Sequence, residues 1–218
     1  MREMICVLRW SVLLISLASW GVALAANSIS MGVYSGSFDP PTRAHFALIR
    51  DSINRFHLEK IYVLVNQDGV KSYKTSVEER IEMLRQELQD LGARVEVVPI
   101  LQKDKGEFLR KHAPIGAELY QFIGEDSFRL LPDHLRRPVE DQHWVVYERG
   151  QESKAAFRDG AQWIDLPEIS GVSSSQVRLE IKEGRASPDL LPSVAGYIRL
   201  HGLYGTLPDC SGLLMKQE

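Results

Sequence analysis

The chain has 218 residues, 44% of them hydrophobic and 25% charged, with four Trp and a formal net charge of -3. That is the composition of a globular protein able to bury one substantial core. It excludes a broad basic footprint for nucleic acid, a fibrous repeat and a low-complexity chain.

The first 26 residues differ from the rest. Arg2 and Arg9 flank the start, residues 10–26 carry no charge, and Ala23-Leu24-Ala25 offers the small-x-small pattern of a cleavage site. Residues 1–26 therefore read as a secretory signal peptide, which implies export and no stable membrane association after cleavage. The apolar run is short for a transmembrane span. Met31, immediately before the first strand-like run, is the alternative start, and it would leave the protein in the cytoplasm. With the signal removed Cys6 is lost, and Cys210 in the polar tail has no intramolecular partner.

A short β-like run at 31–35 leads into Gly36-Ser37-Phe38-Asp39-Pro40-Pro41-Thr42-Arg43-Ala44-His45 and then a helix-like run at 44–56. A strand, a tight loop and a helix N-terminus together form an anion site, because free backbone N–H groups and the positive end of the helix dipole converge there. Thr42 and His45 lie three residues apart, so a helix beginning near Thr42 puts them on one face. A hydroxyl and an imidazole so placed suit a nucleoside triphosphate. Neither the Walker pattern nor G-x-G-x-x-G fits these glycines.

Further along, residues 61–66 (IYVLVN) read as a buried parallel strand. Ser76 and Glu79 fit a capping box, and Val77, Ile81, Leu84, Leu88 and Leu91 fall at helical spacing until Gly92 closes the helix. Strands follow at 94–100, 119–123 and 144–147, with a last one at 163–166. Strands alternating with helices indicate an α/β fold, a Rossmann-like doubly wound and mostly parallel sheet. Ligands of such sheets sit outside the carboxyl ends of the strands. That places residues 36–45, 66–74, 124–126 and 147–150 on one rim. A small C-terminal helical region at 174–201 follows the sheet, and residues 206–218 read as a flexible tail.

The second chemical segment is Ile169-Ser170-Gly171-Val172-Ser173-Ser174-Ser175-Gln176-Val177-Arg178. Serines opening a helix supply hydroxyls and free N–H groups, and Arg178 projects near the same end as a bidentate phosphate donor.

Taken together, GSFDPP-T-x-x-H and SS-S-x-x-R resemble the nucleotidylyltransferase superfamily, with its G-[GTS]-F-D-P loop, [HT]-x-G-H motif and S-S-[TS]-x-[IV]-R motif. More specifically, Phe122-Ile123-Gly124-Glu125-Asp126-Ser127, the strand WVVYER and the closing VAGYIRLHGLY at 194–204 are similar to segments of the nicotinate-mononucleotide adenylyltransferases. The resemblance covers 31–204 and gives a nucleotidylyltransferase domain of 31–205. It implies that backbone groups at Gly36, Ser37 and Phe38 line the nucleotide phosphates, while Thr42 and His45 stabilise charge during transfer. Ser174, Ser175 and Arg178 would hold the departing pyrophosphate. Gly124 and Asp126 would contact the adenosine. Asn66, Lys71 and Lys74 would approach the acceptor, and Lys103 and Lys105 lie in neighbouring contact loops. The substrates implied are ATP, accompanied by Mg²⁺, and a pyridine mononucleotide; no protein metal ligands are assigned, and the oligomeric state is not specified. One departure stands out: Ala44 replaces the family's glycine, where its methyl is expected to crowd the approach to phosphate and cannot relieve a positive φ. The alternatives are a sibling transferase of the phosphopantetheine or cytidylyl type, and an exported, catalytically inactive nucleotide-binding module.

Overall fold

The computed structural model describes residues 29–69, 72–136, 142–148 and 160–207. The signal segment, Lys71, Arg149 and both cysteines lie outside the described residues. Six strands form one sheet: β1 (Ser30–Gly36), β2 (Lys60–Asn66), β3 (Val95–Ile100), β4 (Glu118–Gly124), β5 (Gln142–Glu148) and β6 (Gln162–Asp165). Every pairing is parallel, in the order β3-β2-β1-β4-β5-β6. The sheet is thus entirely rather than mostly parallel.

The apolar runs of the strands explain the layering. Successive residues face opposite sides, and both sides are buried, as parallel strands require. On one face Val63, Val65, Val97, Phe122, Val145 and Tyr147 belong to a cluster with side chains from three helices. These helices are α1 (Arg43–Arg55), α2 (Val77–Leu88) and, near the C-terminus, a helix at Pro192–Leu200. On the other face Met31, Val33, Tyr62, Leu64, Ile100 and Leu119 pack under Phe108 and Leu109. Those two residues belong to α3 (Lys105–His112), a helix where the sequence pattern indicates a contact loop. Its apolar content is just the pair Phe108 and Leu109, too little for a periodic signal.

Two short helices, α4 (Glu125–Arg129) and α5 (Asp133–Arg136), follow β4. The expected C-terminal helical region consists of two helices, α6 (Ser174–Lys182) and α7 (Pro192–Leu200). Ser76 caps α2 as expected: its hydroxyl accepts the Glu79 N–H and Glu79 accepts the Ser76 N–H. The helix is shorter than its apolar spacing implied. It ends at Leu88 and tightens into a 3-10 turn, Gln89–Arg94, in which Gly92 takes φ 55°. No described helix is long and apolar enough to cross a membrane.

Candidate active site

The strand order reverses between β1 and β4, since β2 and β3 extend to one side of β1 and β4 to β6 to the other. This is the switch point where ligands of such sheets bind. Gly36 ends β1 and Gly124 ends β4, so their loops flank the crevice.

The loop after β1 is folded back on itself. Phe38 adopts φ 54° and is 1% exposed. A Cβ on Gly36 would lie 2.8 Å from the Phe38 ring, so only glycine lets that ring close over the strand end. The ring stands edge-on to Tyr34 at 5.3 Å and to His45 at 5.0 Å. Thr42 is the N-cap of α1 in extended geometry, and Ala44 follows within the helix. Ala44 does not have positive φ, and its methyl is buried in the core, so the expected conflict at this position is absent.

His45 Nδ1 accepts the Thr42 backbone N–H at 2.9 Å, and the Thr42 hydroxyl lies 2.9 Å from the same nitrogen. An Nδ1 that accepts cannot carry the proton, so the neutral ring holds it on Nε2 and donates there. The expected sharing of a face by Thr42 and His45 is therefore a direct contact.

Asp39, only 3% exposed, organises the loop. Its Oδ2 accepts the Lys74 N–H at 2.8 Å, and its Oδ1 accepts the hydroxyls of Thr75 at 2.9 Å and Tyr204 at 2.7 Å. Burial, reinforced by the Asp39 charge, pushes the Tyr204 phenol up, which keeps it a donor. Arg80 on α2 is 1% exposed and donates to the carbonyls of Ser76, Ser37 and Asn66 at 3.1, 2.7 and 2.9 Å. The Tyr73 ring covers its guanidinium at 4.1 Å. Burial pulls the Arg80 pKa down, with the Asp39 charge opposing; a guanidinium stays protonated regardless.

The second segment docks on the first. The Ser174 hydroxyl donates to the Pro40 carbonyl at 2.9 Å, Arg178 donates to the Asp39 carbonyl, and Arg178 also donates to the Ser175 hydroxyl at 3.0 Å. No side chain caps the N-terminus of α6 or of α1 among the described residues, apart from the Thr42–His45 exchange. Two helix N-termini with their N–H groups thus meet around one loop.

Of the other expected residues, Lys74 reaches this junction through its backbone. Gly124 is buried at the N-cap of α4, whereas Asp126 and Ser127 in its first turn are exposed. The Asn66 amide is engaged, its Oδ1 accepting the Ser35 hydroxyl at 3.1 Å. Lys74 binds Asp39 through its backbone while the residue itself is exposed. Lys103 is exposed in a 3-10 turn. Lys105 opens α3 half-buried, and burial pushes its ammonium down to about 8. Asp68 opposes that shift and also accepts the Gln102 N–H at 2.8 Å.

Asp39 and Arg80 had been given no role on sequence grounds. The signal for Arg80 was present: it interrupts the apolar face formed by Val77, Ile81 and Leu84. Asp39 lay inside the quoted loop but had no visible partner, because its partners are 35, 36 and 165 residues away.

Among the described residues no three of His, Cys, Asp and Glu converge to hold a metal ion. Asp39 has both oxygens occupied by N–H and O–H donors, so it is not a metal ligand in this geometry. The described residues supply no cage of their own, and a magnesium ion that accompanied ATP would depend on phosphate oxygens.

A family model described as cytidylyltransferase-like matches residues 33–180. A probable nicotinate-nucleotide adenylyltransferase of Gemmatimonas aurantiaca is 28% identical over 212 residues, covering 86% of this chain and 98% of the relative. Another, from Chloroherpeton thalassium, is 30% identical over 196 residues, covering 80% of this chain and 96% of the relative. Among solved structures, the Plasmodium falciparum nicotinic acid mononucleotide adenylyltransferase complexed with NaAD superposes with a TM-score of 0.65 at 19% identity. It covers 81% of this chain and 97% of its own. The chain is a nucleotidyltransferase that belongs to the cytidylyltransferase-like family and resembles its nicotinate-nucleotide adenylyltransferases.

Proposed function

We propose that the protein transfers AMP from ATP to the 5′-phosphate of nicotinate or nicotinamide mononucleotide. The observation that carries this reading is the junction of the two motifs: Arg178 and Ser174 hydrogen-bond the Asp39 and Pro40 carbonyls between two helix N-termini. Polyphosphate is the ligand such a junction fits, and the relatives named above are adenylyltransferases of this kind.

A phosphate oxygen of the acceptor attacks the α-phosphorus of ATP in line. The bond from that phosphorus to the α,β-bridging oxygen breaks, pyrophosphate leaves, and the dinucleotide forms without a covalent enzyme intermediate. The nucleophile is already an anion, so no general base is required. Catalysis rests on positioning and on donors placed where charge accumulates. The His45 Nε2–H supplies one such donor, the Thr42 hydroxyl turned to Nδ1 holds the ring in that tautomer, and backbone N–H groups of Gly36, Ser37 and Phe38 lie beside it. Ser174, Ser175 and Arg178 hold the pyrophosphate, Gly124 and Asp126 the adenosine. Asn66 and Lys74 are assigned to the acceptor, as is Lys71, which lies outside the described residues.

The test is pyrophosphate release by the full-length chain with ATP, magnesium and either pyridine mononucleotide, beside phosphopantetheine and a His45→Ala control. Turnover with a pyridine mononucleotide that His45→Ala lowers about 100-fold is the expected result. Turnover confined to phosphopantetheine would replace the acceptor, and ATP binding with no turnover would replace the enzyme by a binding module.

A further inference from the structure

The buried guanidinium of Arg80 lies between the ends of β1 and β2, donating to the Ser37 carbonyl on one side and the Asn66 carbonyl on the other. Both peptides are trans. In a trans peptide the C=O and N–H point in opposite directions. At the β2 end this is directly visible: with its carbonyl on Arg80, the 66–67 peptide sends the Gln67 N–H away to the Ile100 carbonyl of β3 at 2.9 Å. The same rule applied at the β1 end sends the Phe38 N–H away from β2. Since β4 is the neighbour of β1 on that side, the N–H faces the switch-point crevice.

We infer that Arg80 is a positioning residue for the nucleotide, because its hold on the Ser37 carbonyl turns the 37–38 peptide and presents the Phe38 N–H to a phosphate of ATP. The ligand in this statement rests on the adenylyltransferase reading; the orientation of the peptide does not. Arg80 touches no substrate itself. Its contribution is to keep a backbone donor in the direction where anionic charge is bound, in a peptide that Phe38, with φ 54°, could otherwise rotate. Tyr73 above the guanidinium and Asn66 beside it hold the side chain in that role.

The experiment compares the full-length chain with Arg80→Lys and with Arg85→Lys, a second arginine of α2 that donates to the Val97 carbonyl of β3 at 3.2 Å, away from the loop. Lysine keeps the charge but cannot bridge two carbonyls in a fixed fork. Arg80→Lys is expected to weaken ATP and pyrophosphate binding about tenfold by calorimetry, the order of one charge-assisted hydrogen bond. The acceptor KM should stay within about twofold, since only the ATP side loses a donor. Arg85→Lys should leave ATP affinity at the wild-type value. Unchanged ATP affinity in Arg80→Lys, or an equal loss in Arg85→Lys, overturns the inference. Should Arg80→Lys not fold, amide exchange at Phe38 in the wild-type chain decides: protection by ATP supports the assignment and its absence refutes it. Protection without transfer to a pyridine mononucleotide would retire the adenylyltransferase reading and leave Arg80 in place. A wild-type chain that binds neither ATP nor pyrophosphate retires both.

Discussion

The loops after β1 and β4 flank one crevice, yet they are built to different standards. Residues 38–42 are all buried, and the loop is tied to three distant segments through Asp39, Ser37 and Pro40. The β4 loop passes straight into the five-residue α4, whose first turn exposes Asp126 and Ser127. The contrast follows the chemistry proposed for each side. Donors that stabilise a transition state must be fixed before the substrate arrives. A contact to the unreacting adenosine requires only a complementary surface.

If that contrast is right, substitutions on the β1 side should cost more and should fall on kcat or on folding, whereas those on the β4 side should fall on KM. The largest effect is expected for Asp39→Ala, which leaves the Lys74 N–H and the Thr75 and Tyr204 hydroxyls without their carboxylate. About 3 kcal/mol of stability should be lost in urea unfolding; a loss under about 1 kcal/mol would break the picture of an over-determined loop. His45→Ala should lower kcat about 100-fold in steady-state pyrophosphate release, equivalent to about 2.7 kcal/mol. Asp126→Ala should raise the KM for ATP about tenfold with kcat near wild type, and a matching fall in kcat would erase the distinction between the two loops. Tyr204→Phe removes one donor from Asp39 while Thr75 remains, so about 1 kcal/mol of stability is expected to go, read from the melting curve.

An effect absent at neutral pH sharpens the comparison from the start of α3. Burial holds Lys105 at about 8, while in the unfolded chain it keeps its proton to about 10.5. Between those values the unfolded state binds more protons, so this residue makes stability rise as the pH climbs from about 8 to 10. Lys105→Met should remove that rise from the variant's own profile of stability against pH, so that the wild type gains on the variant between about pH 8 and 10. An unchanged slope would mean that the ammonium is better solvated than its position at the start of α3 implies.

Much of this architecture could be read from the chain. The apolar runs at 61–65 and the capping pair Ser76 and Glu79 encode β2 and α2 locally, and strands alternating with helices imply a parallel sheet with one functional rim. Thr42 and His45 were legible as partners because helix geometry fixes their spacing. What was hidden depends on distant segments. Nothing near Asp39 indicates that Tyr204 will bond it, and nothing in the Ser174–Arg178 run shows that its side chains will grip the Asp39 and Pro40 carbonyls. Ala44 illustrates the opposite error: a departure from a family pattern looked like a backbone conflict, but the position is helical and accepts a methyl.

The bond from Tyr204 to Asp39 also has a bearing on how the molecule is made. Synthesis proceeds from the N-terminus, so the loop after β1 leaves the ribosome well before the segments at 174–204 that bond it. Its carboxylate nevertheless receives the Tyr204 hydroxyl only when residue 204 emerges, and its carbonyls receive Arg178 and Ser174 only shortly before. A nascent chain holding all six strands would have the sheet but an unfinished loop after β1. A loop that opens the sheet is completed only by the segments that close the fold.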